Sequence, residues 1–215
     1  DQIFYEHQEV SAIGGKYAVP DDASWVVKCW VLDACPKIAK GRHLLGGSFI
    51  IKKEVFDFVG GFDDKVNAGE DTDLSVRIHA AGKETMLHPD LGVVHLGFPD
   101  SLSDFIKRQF WHSSSYIKSN YGLKDRSFVF TLVFSIGIVG ILFGAWSDFS
   151  LLIFTPLVLA PPLLMTFSKY KKSTERMVSP KLLGLVLLSF LYFLGRSGGL
   201  IFSLSGLKYK SWGRL

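Results

Sequence analysis

The chain has 215 residues, 48% of them hydrophobic and 20% charged, with a formal net charge of +4. The positive excess belongs to one end: residues 1–126 hold 15 Lys/Arg against 18 Asp/Glu, whereas residues 127–215 hold 9 against 2. Cations that flank apolar runs suit anionic lipid headgroups, and they exclude a nucleic-acid surface, which needs its cations together on one polar face.

In chain order, Val10–Tyr17 alternates loosely and reads as a glycine-containing strand. Cys29 and Cys35 lack the spacing of a zinc site or a redox motif and read as a reduced cytosolic pair, with a single disulfide as the alternative. Leu44–Ile51 reads as a buried strand entered through glycines, and Lys53–Val59 as a short helix stopped by Gly60-Gly61. Thr72–Ala81 places Leu74, Ile78 and Ala81 on one helical face, with Gly82 as its stop. Thr85–Leu87 and Val93–Leu96 are short strands, and Leu102–Ser119 is a helix ending near Asn120 and Gly122. Short strands mixed with helices predict an α/β domain over residues 1–126.

Residues 127–215 read as a membrane region. Phe128–Trp146 and Phe149–Phe167 are apolar runs of the length that spans a bilayer, and Asp148 is the single charge between residues 127 and 168. The two-residue link makes them a helical hairpin, with Gly137, Gly140 and Gly144 as a close-packing face. The basic stretch from Lys169 to Arg176 keeps that end cytoplasmic, and the hairpin returns the chain to its starting side. Leu182–Leu207 is a third apolar stretch, interrupted by Gly195, Arg196, Gly198 and Gly199. It either spans or lies in the interface as two short helices, and the closing Lys208, Lys210 and Arg214 favour the interface.

All six histidines fall within the first 112 residues, and the densest polar cluster does too. Asp63, Asp64, Glu70, Asp71 and Asp73 lie within eleven residues, behind Gly60-Gly61 and around a helix start. Acids there cap free N–H groups and complement the macrodipole. The same pattern also fits a ligand site, because glycines permit close backbone approach and a helix-start carboxylate projects rigidly. The residues alone leave both readings open.

Gly46-Gly47-Ser48, Val55-Phe56, Gly60 through Asp63, Gly69 through Leu74, Arg77 and Ala81-Gly82 resemble, in order and spacing, the C-terminal core of glycosyltransferase family 2, of the GT-A fold. Val94-His95 and a helix carrying Gln109-Phe110-Trp111 continue the resemblance over roughly residues 10–120. It implies that Asp71 is the catalytic base, since a sugar hydroxyl attacks only when its proton is accepted. Glu70 would orient the acceptor or its loop. Asp73 would be a helix-start acid without catalytic duty, with Arg77 paired to a neighbouring acid.

Substrate contacts are implied for Gly46, Gly47, Ser48, Gly60, Gly61, Phe62, Asp63, Arg108, Gln109 and Trp111. His95 stands where several GT-A enzymes supply a metal ligand, though a strand-edge histidine fits equally; His88 and His112 read as structural or acceptor-facing. The implied metal is Mg²⁺ or Mn²⁺, suited to oxygen ligands. Lys107 and Phe110 depart from the Gln-x-x-Arg-Trp pattern of processive synthases, so polymer synthesis is not expected. The family's Asp-x-Asp and nucleotide-binding strands are expected ahead of Asp1, so this stretch alone should lack most of the donor site.

The resemblance thus implies an inverting, metal-dependent transferase on the inner face of the cell membrane. It would move a sugar from a nucleotide-diphosphate donor to a hydroxyl in surface glycan or lipid-linked saccharide synthesis. The rival readings are a non-catalytic membrane scaffold on a transferase core and a polyprenyl-phosphate sugar transferase.

Overall fold

The computed structural model describes residues 2–32, 38–41, 44–64, 66, 69–114, 125–144, 148–173 and 179–205. Cys35, the helix end near Asn120, the basic residues 174–176 and the closing cations after residue 205 lie outside the described residues. The chain divides into two compact units: residues 1–22 with 35–98, and residues 23–34 with 99–215.

In the first unit, α1 (Gln2–Glu6) precedes β1 (Val10–Gly14) and the short β2 (Tyr17–Ala18). β3 (Ala39–Lys40), β4 (Phe49–Ile51), α3 (Lys53–Phe58), α4 (Glu70–Ala80), β5 (Glu84–Leu87) and β6 (Val93–Val94) follow. Four strands form a sheet in the order β3-β5-β1-β4. β1 runs parallel to β5 and antiparallel to β4, and β3 is antiparallel to β5. β2 and β6 make a separate parallel pair.

β1 is buried along its whole length, which explains its continuous apolar and small residues. Leu74 and Ile78 of α4 pack with Ala12, Leu44 and Val55, as the helical periodicity predicts. Gly60 (φ +83°) and Gly61 (φ +66°) end α3 by donating to the carbonyls of Asp57 and Phe56, a left-handed stop that glycine adopts without strain.

Two expectations need correcting here. Leu44–Ile51 is not a buried strand: only Phe49–Ile51 joins the ladder, at the sheet edge, and Ile50 is exposed. Leu45 and Ser48 bridge across a tight turn instead, so the glycines make a corner rather than an extended run. The expected strand Val10–Tyr17 is likewise two strands, broken at Gly14-Gly15, where a Cβ on Gly15 would overlap the Leu91 carbonyl.

The second unit contains α2 (Trp25–Val31), α5 (Leu102–Ser113), α6 (Arg126–Gly144), α7 (Asp148–Tyr170) and α8 (Pro180–Leu204). α2 carries no strong helical signal, because Trp and β-branched valines suit strands as well; Ser24 caps it with a side-chain bond from the Val27 N–H. α6, α7 and α8 are each long and apolar enough to cross a membrane. The α6–α7 hairpin forms as expected: Cβ atoms on Gly137 and Gly144 would crowd Val158 and Ser150, and one on Gly140 would overlap Phe154.

α8 is one continuous helix rather than two short ones. Its glycines do not break it because they are packing sites: a Cβ on Gly195 would stand 2.8 Å from the Ile106 carbonyl oxygen, and one on Gly199 would overlap the Phe110 carbonyl. The packing boundary therefore differs from the hydropathy boundary at residues 126/127. Hydropathy marks where bilayer-length helices begin, whereas α2 and α5 lie before that point and pack on α8.

Candidate active site

α4 begins where the sequence concentrates its acids. Gly69 precedes it at φ +83°, and Glu70, Asp71 and Asp73 occupy the first turn. The three acids have different fates. Glu70 is exposed. Asp73 pairs with Arg77, whose Nε and Nη2 lie 2.8 and 2.7 Å from Asp73 Oδ2. Arg77 Nη1 also donates to the Val59 carbonyl at 2.6 Å, so the pair ties α4 to the end of α3.

Asp71 faces the glycine corner. Its Oδ2 accepts the Gly46 N–H at 2.9 Å and its Oδ1 accepts the Thr72 N–H at 2.7 Å. Ser75, one turn later and fully buried, donates to the Asp71 carbonyl at 2.7 Å and accepts the Leu44 N–H at 2.9 Å. Two tethers thus fasten Leu44–Gly46 to the first turn of α4.

The rest of the corner is fixed from the other side. Gly47 N–H donates to Tyr17 Oη at 2.6 Å, Ser48 Oγ donates to the Leu91 carbonyl at 2.7 Å, and Gly15 N–H donates to the Ser48 carbonyl at 2.8 Å. Glycine is favoured at 47, where a Cβ would sit 2.8 Å from Tyr17 Oη and displace that ring. At 46 a Cβ would have ordinary contact with Asp71, so the contribution of Gly46 is its N–H.

The structure therefore joins Gly46, Gly47 and Ser48 with Asp71. Gly60, Gly61 and Phe62 serve the turn after α3, with the Phe62 ring edge-on to Phe49 and Phe56; the Asp63 carbonyl accepts the Val66 N–H. Tyr17, Ser75 and Leu91 went unnoticed in the sequence. Ser75 carried one usable signal, its position four residues after Asp71; Tyr17 and Leu91 carried none.

His95 directly follows β6, and its N–H extends the ladder to the Ala18 carbonyl at 3.0 Å. Its ring lies 4.4 Å from that of Tyr17 and 4.5 Å from that of Phe98, and Nδ1 accepts the Gly97 N–H. That geometry favours the strand-edge reading. Among the described residues no three His, Cys, Asp or Glu side chains converge on a metal position. Among the described residues there is thus no ligand set that by itself fits Mg²⁺ or Mn²⁺.

Arg108, Gln109 and Trp111 lie on α5, in the second unit. Gln109 is buried, and its Oε1 accepts from Arg196 Nε of α8 at 3.4 Å, so its side chain holds helices together. The Trp111 ring lies 4.8 Å from that of His112. Burial, reinforced by the nearby charges of Arg196 and Arg108, holds His112 down to a pKa of about 3, so it is neutral at physiological pH.

The Gly46-Gly47-Ser48 turn is thus bonded, through the Gly46 N–H, to Asp71 in the first turn of α4. A family model described as glycosyl transferase family group 2 matches residues 35–169. The chain belongs to this family. The matched region holds the Gly46 corner, the acidic motif and α5, and it continues through α6 into the last turns of α7. The match thus covers most of the apolar hairpin as well. No curated protein and no solved structure matches the chain.

Proposed function

We propose that this family 2 domain is the acceptor-side part of a membrane-anchored, inverting GT-A glycosyltransferase in which Asp71 is the general base. One observation carries the reading: Asp71 is the first-turn acid aimed by backbone N–H groups from two elements, Gly46 and Thr72. A carboxylate offers about four lone-pair sites, so two such bonds leave capacity to accept a proton. Asp73 is committed to Arg77, and Glu70 is exposed without such aiming.

The donor is a nucleotide-diphosphate sugar and the acceptor a hydroxyl of a surface glycan or lipid-linked saccharide. The acceptor oxygen attacks the anomeric carbon from the face opposite the diphosphate. The new C–O bond forms as the bond to the diphosphate breaks, the hydroxyl proton passes to Asp71, and the configuration inverts. The Gly46 and Thr72 N–H groups hold the carboxylate in place during the transfer, which is the positioning part of the rate. Mg²⁺ or Mn²⁺, implied by the family, would stabilise the departing diphosphate; its ligands are not supplied by the described residues. The cytoplasmic face of the inner membrane, where nucleotide-sugars are made, is the location this chemistry requires.

The test is a transfer assay on the protein from its complete reading frame, in lipid nanodiscs, with a panel of nucleotide-diphosphate sugars and membrane acceptors. The expected product carries the anomeric configuration opposite to the donor, read by NMR. Retention of configuration, or absence of transfer from every donor, would overturn the proposal.

A further inference from the structure

The middle of α8 packs on the hairpin from the end of α7 to the middle of α6, where Ser135 Oγ and Ser197 Oγ are hydrogen-bonded at 2.8 Å. Tyr192, the thirteenth of its 25 residues, bonds through Oη to Ser127 Oγ, in the first turn of α6, at 3.2 Å. The Tyr192 ring stacks at 5.4 Å on Trp30, whose carbonyl accepts from Lys169 Nζ, in the last turn of α7, at 2.8 Å. Lys169 also lies 3.2 Å from the Trp30 ring centroid, and Arg196 stands 4.4 Å from the Tyr192 ring. The first turn of α6 and the last turn of α7 are the two ends of the hairpin on one side. Trp, Tyr and Lys gathered there form the aromatic and cationic belt of an interface.

A spanning helix has its middle at the bilayer centre. From Tyr192, α8 has only about 18 Å in either direction, short of the roughly 30 Å hydrocarbon core. Its partners agree. α2 packs at Gly184, where a Cβ would overlap Cys29, and α5 packs at Gly195 to Phe202. These contacts lie about 22 Å apart along the axis (Gly184 to Gly199). The outward face of α5 carries Asp104 and Lys107, with side chains 45% and 58% exposed, which need water or headgroups. What α8 leaves uncovered is a single apolar stripe: Leu183, Leu187, Leu194, Ile201 and Leu204. By contrast α6 and α7 are bare on most of their surface, as lipid-surrounded helices are.

We infer that α8 lies along the membrane surface rather than across it, with α2 and α5 on its water side and its leucine stripe dipped into the acyl boundary of one leaflet. The occupant of the stripe is lipid, because the stripe is continuous with a hairpin that is itself lipid-facing. This inference rests on the reading of α6 and α7 as the spanning pair. The described residues then hold two spans and an interfacial platform, and the end of α8 lies on the same side as the start of α6 and the end of α7.

Two measurements on the full chain in vesicles test it. Spin labels on Leu187→Cys, Leu194→Cys and Ile201→Cys, with Cys35→Ser, should report the same depth within a few ångström. A depth difference near 20 Å between 187 and 201, which are 14 residues apart, would overturn the inference. Tags after Leu215 and at Ser173 should report the same side, and a tag after Gly144 the opposite side. If the Gly144 tag shares the side of Ser173, the spanning hairpin itself fails. If it does not, but the Leu215 tag lies opposite Ser173, the surface placement of α8 alone fails.

Discussion

Ser75→Ala removes one oxygen from the centre of the site. Ser75 is fully buried, and its Oγ makes two bonds, from the Leu44 N–H and to the Asp71 carbonyl. The carbonyl loses little, since it also accepts the in-helix N–H four residues on. The Leu44 N–H is left buried without a partner, at a cost of about 1–3 kcal/mol. At 1.4 kcal/mol per tenfold, the corner should open about 5- to 150-fold more often. Hydrogen exchange read by mass spectrometry in detergent measures this directly, through the amides of residues 44–48. The acceleration should be local to that corner and to the first turn of α4. Unchanged exchange at Leu44, or equal acceleration along β1 and β5, would refute the tether.

Gly47→Ala should lower stability by about 1–3 kcal/mol, because its Cβ stands 2.8 Å from Tyr17 Oη. Adding Tyr17→Phe should return part of that loss, so a double-mutant cycle by thermal unfolding must show coupling between the two sites. Asp73→Asn weakens the paired contacts to Arg77 and should cost about 1.5–3 kcal/mol of stability while leaving turnover per folded molecule nearly unchanged. His112 binds its proton only near pH 3 when folded and near pH 6.5 when unfolded, so its contribution is complete above about 6.5 and is lost as pH falls towards 3. Between pH 7 and pH 5 the loss should be on the order of 1 kcal/mol, discounted for partial exposure, and His112→Gln should flatten the melting curve over that window.

The parts of this molecule legible in its sequence are those governed by local pattern. α4 follows from Leu74 and Ile78 at helical spacing between Gly69 and Gly82, and the α6–α7 hairpin from two uncharged runs with facing glycines. The Asp71 motif was legible too, through its resemblance to the family. What escaped depends on distant partners. The Gly46-Gly47-Ser48 stretch reads as a strand, yet the Ser75 hydroxyl and the Tyr17 hydroxyl hold it as a corner. Gln109 reads as a substrate contact from its neighbours in sequence, yet Arg196, 87 positions away, takes its side chain. Gly195 and Gly199 read as helix breakers, yet α5 occupies the space they leave. Asp73 is more tightly held than a helix-start acid need be, because Arg77 also reaches the Val59 carbonyl.

The most direct test of the account is Asp71→Asn in the protein from its complete reading frame. The amide keeps the shape of the side chain and one acceptor oxygen for the Gly46 or Thr72 N–H, but it does not take up a proton at neutral pH. General-base catalysis contributes about 10²–10⁴-fold, so turnover should fall at least 100-fold, with the donor KM nearly unchanged and melting close to that of the parent. Turnover within a few-fold of the parent, in a protein that folds, would contradict Asp71 as the base.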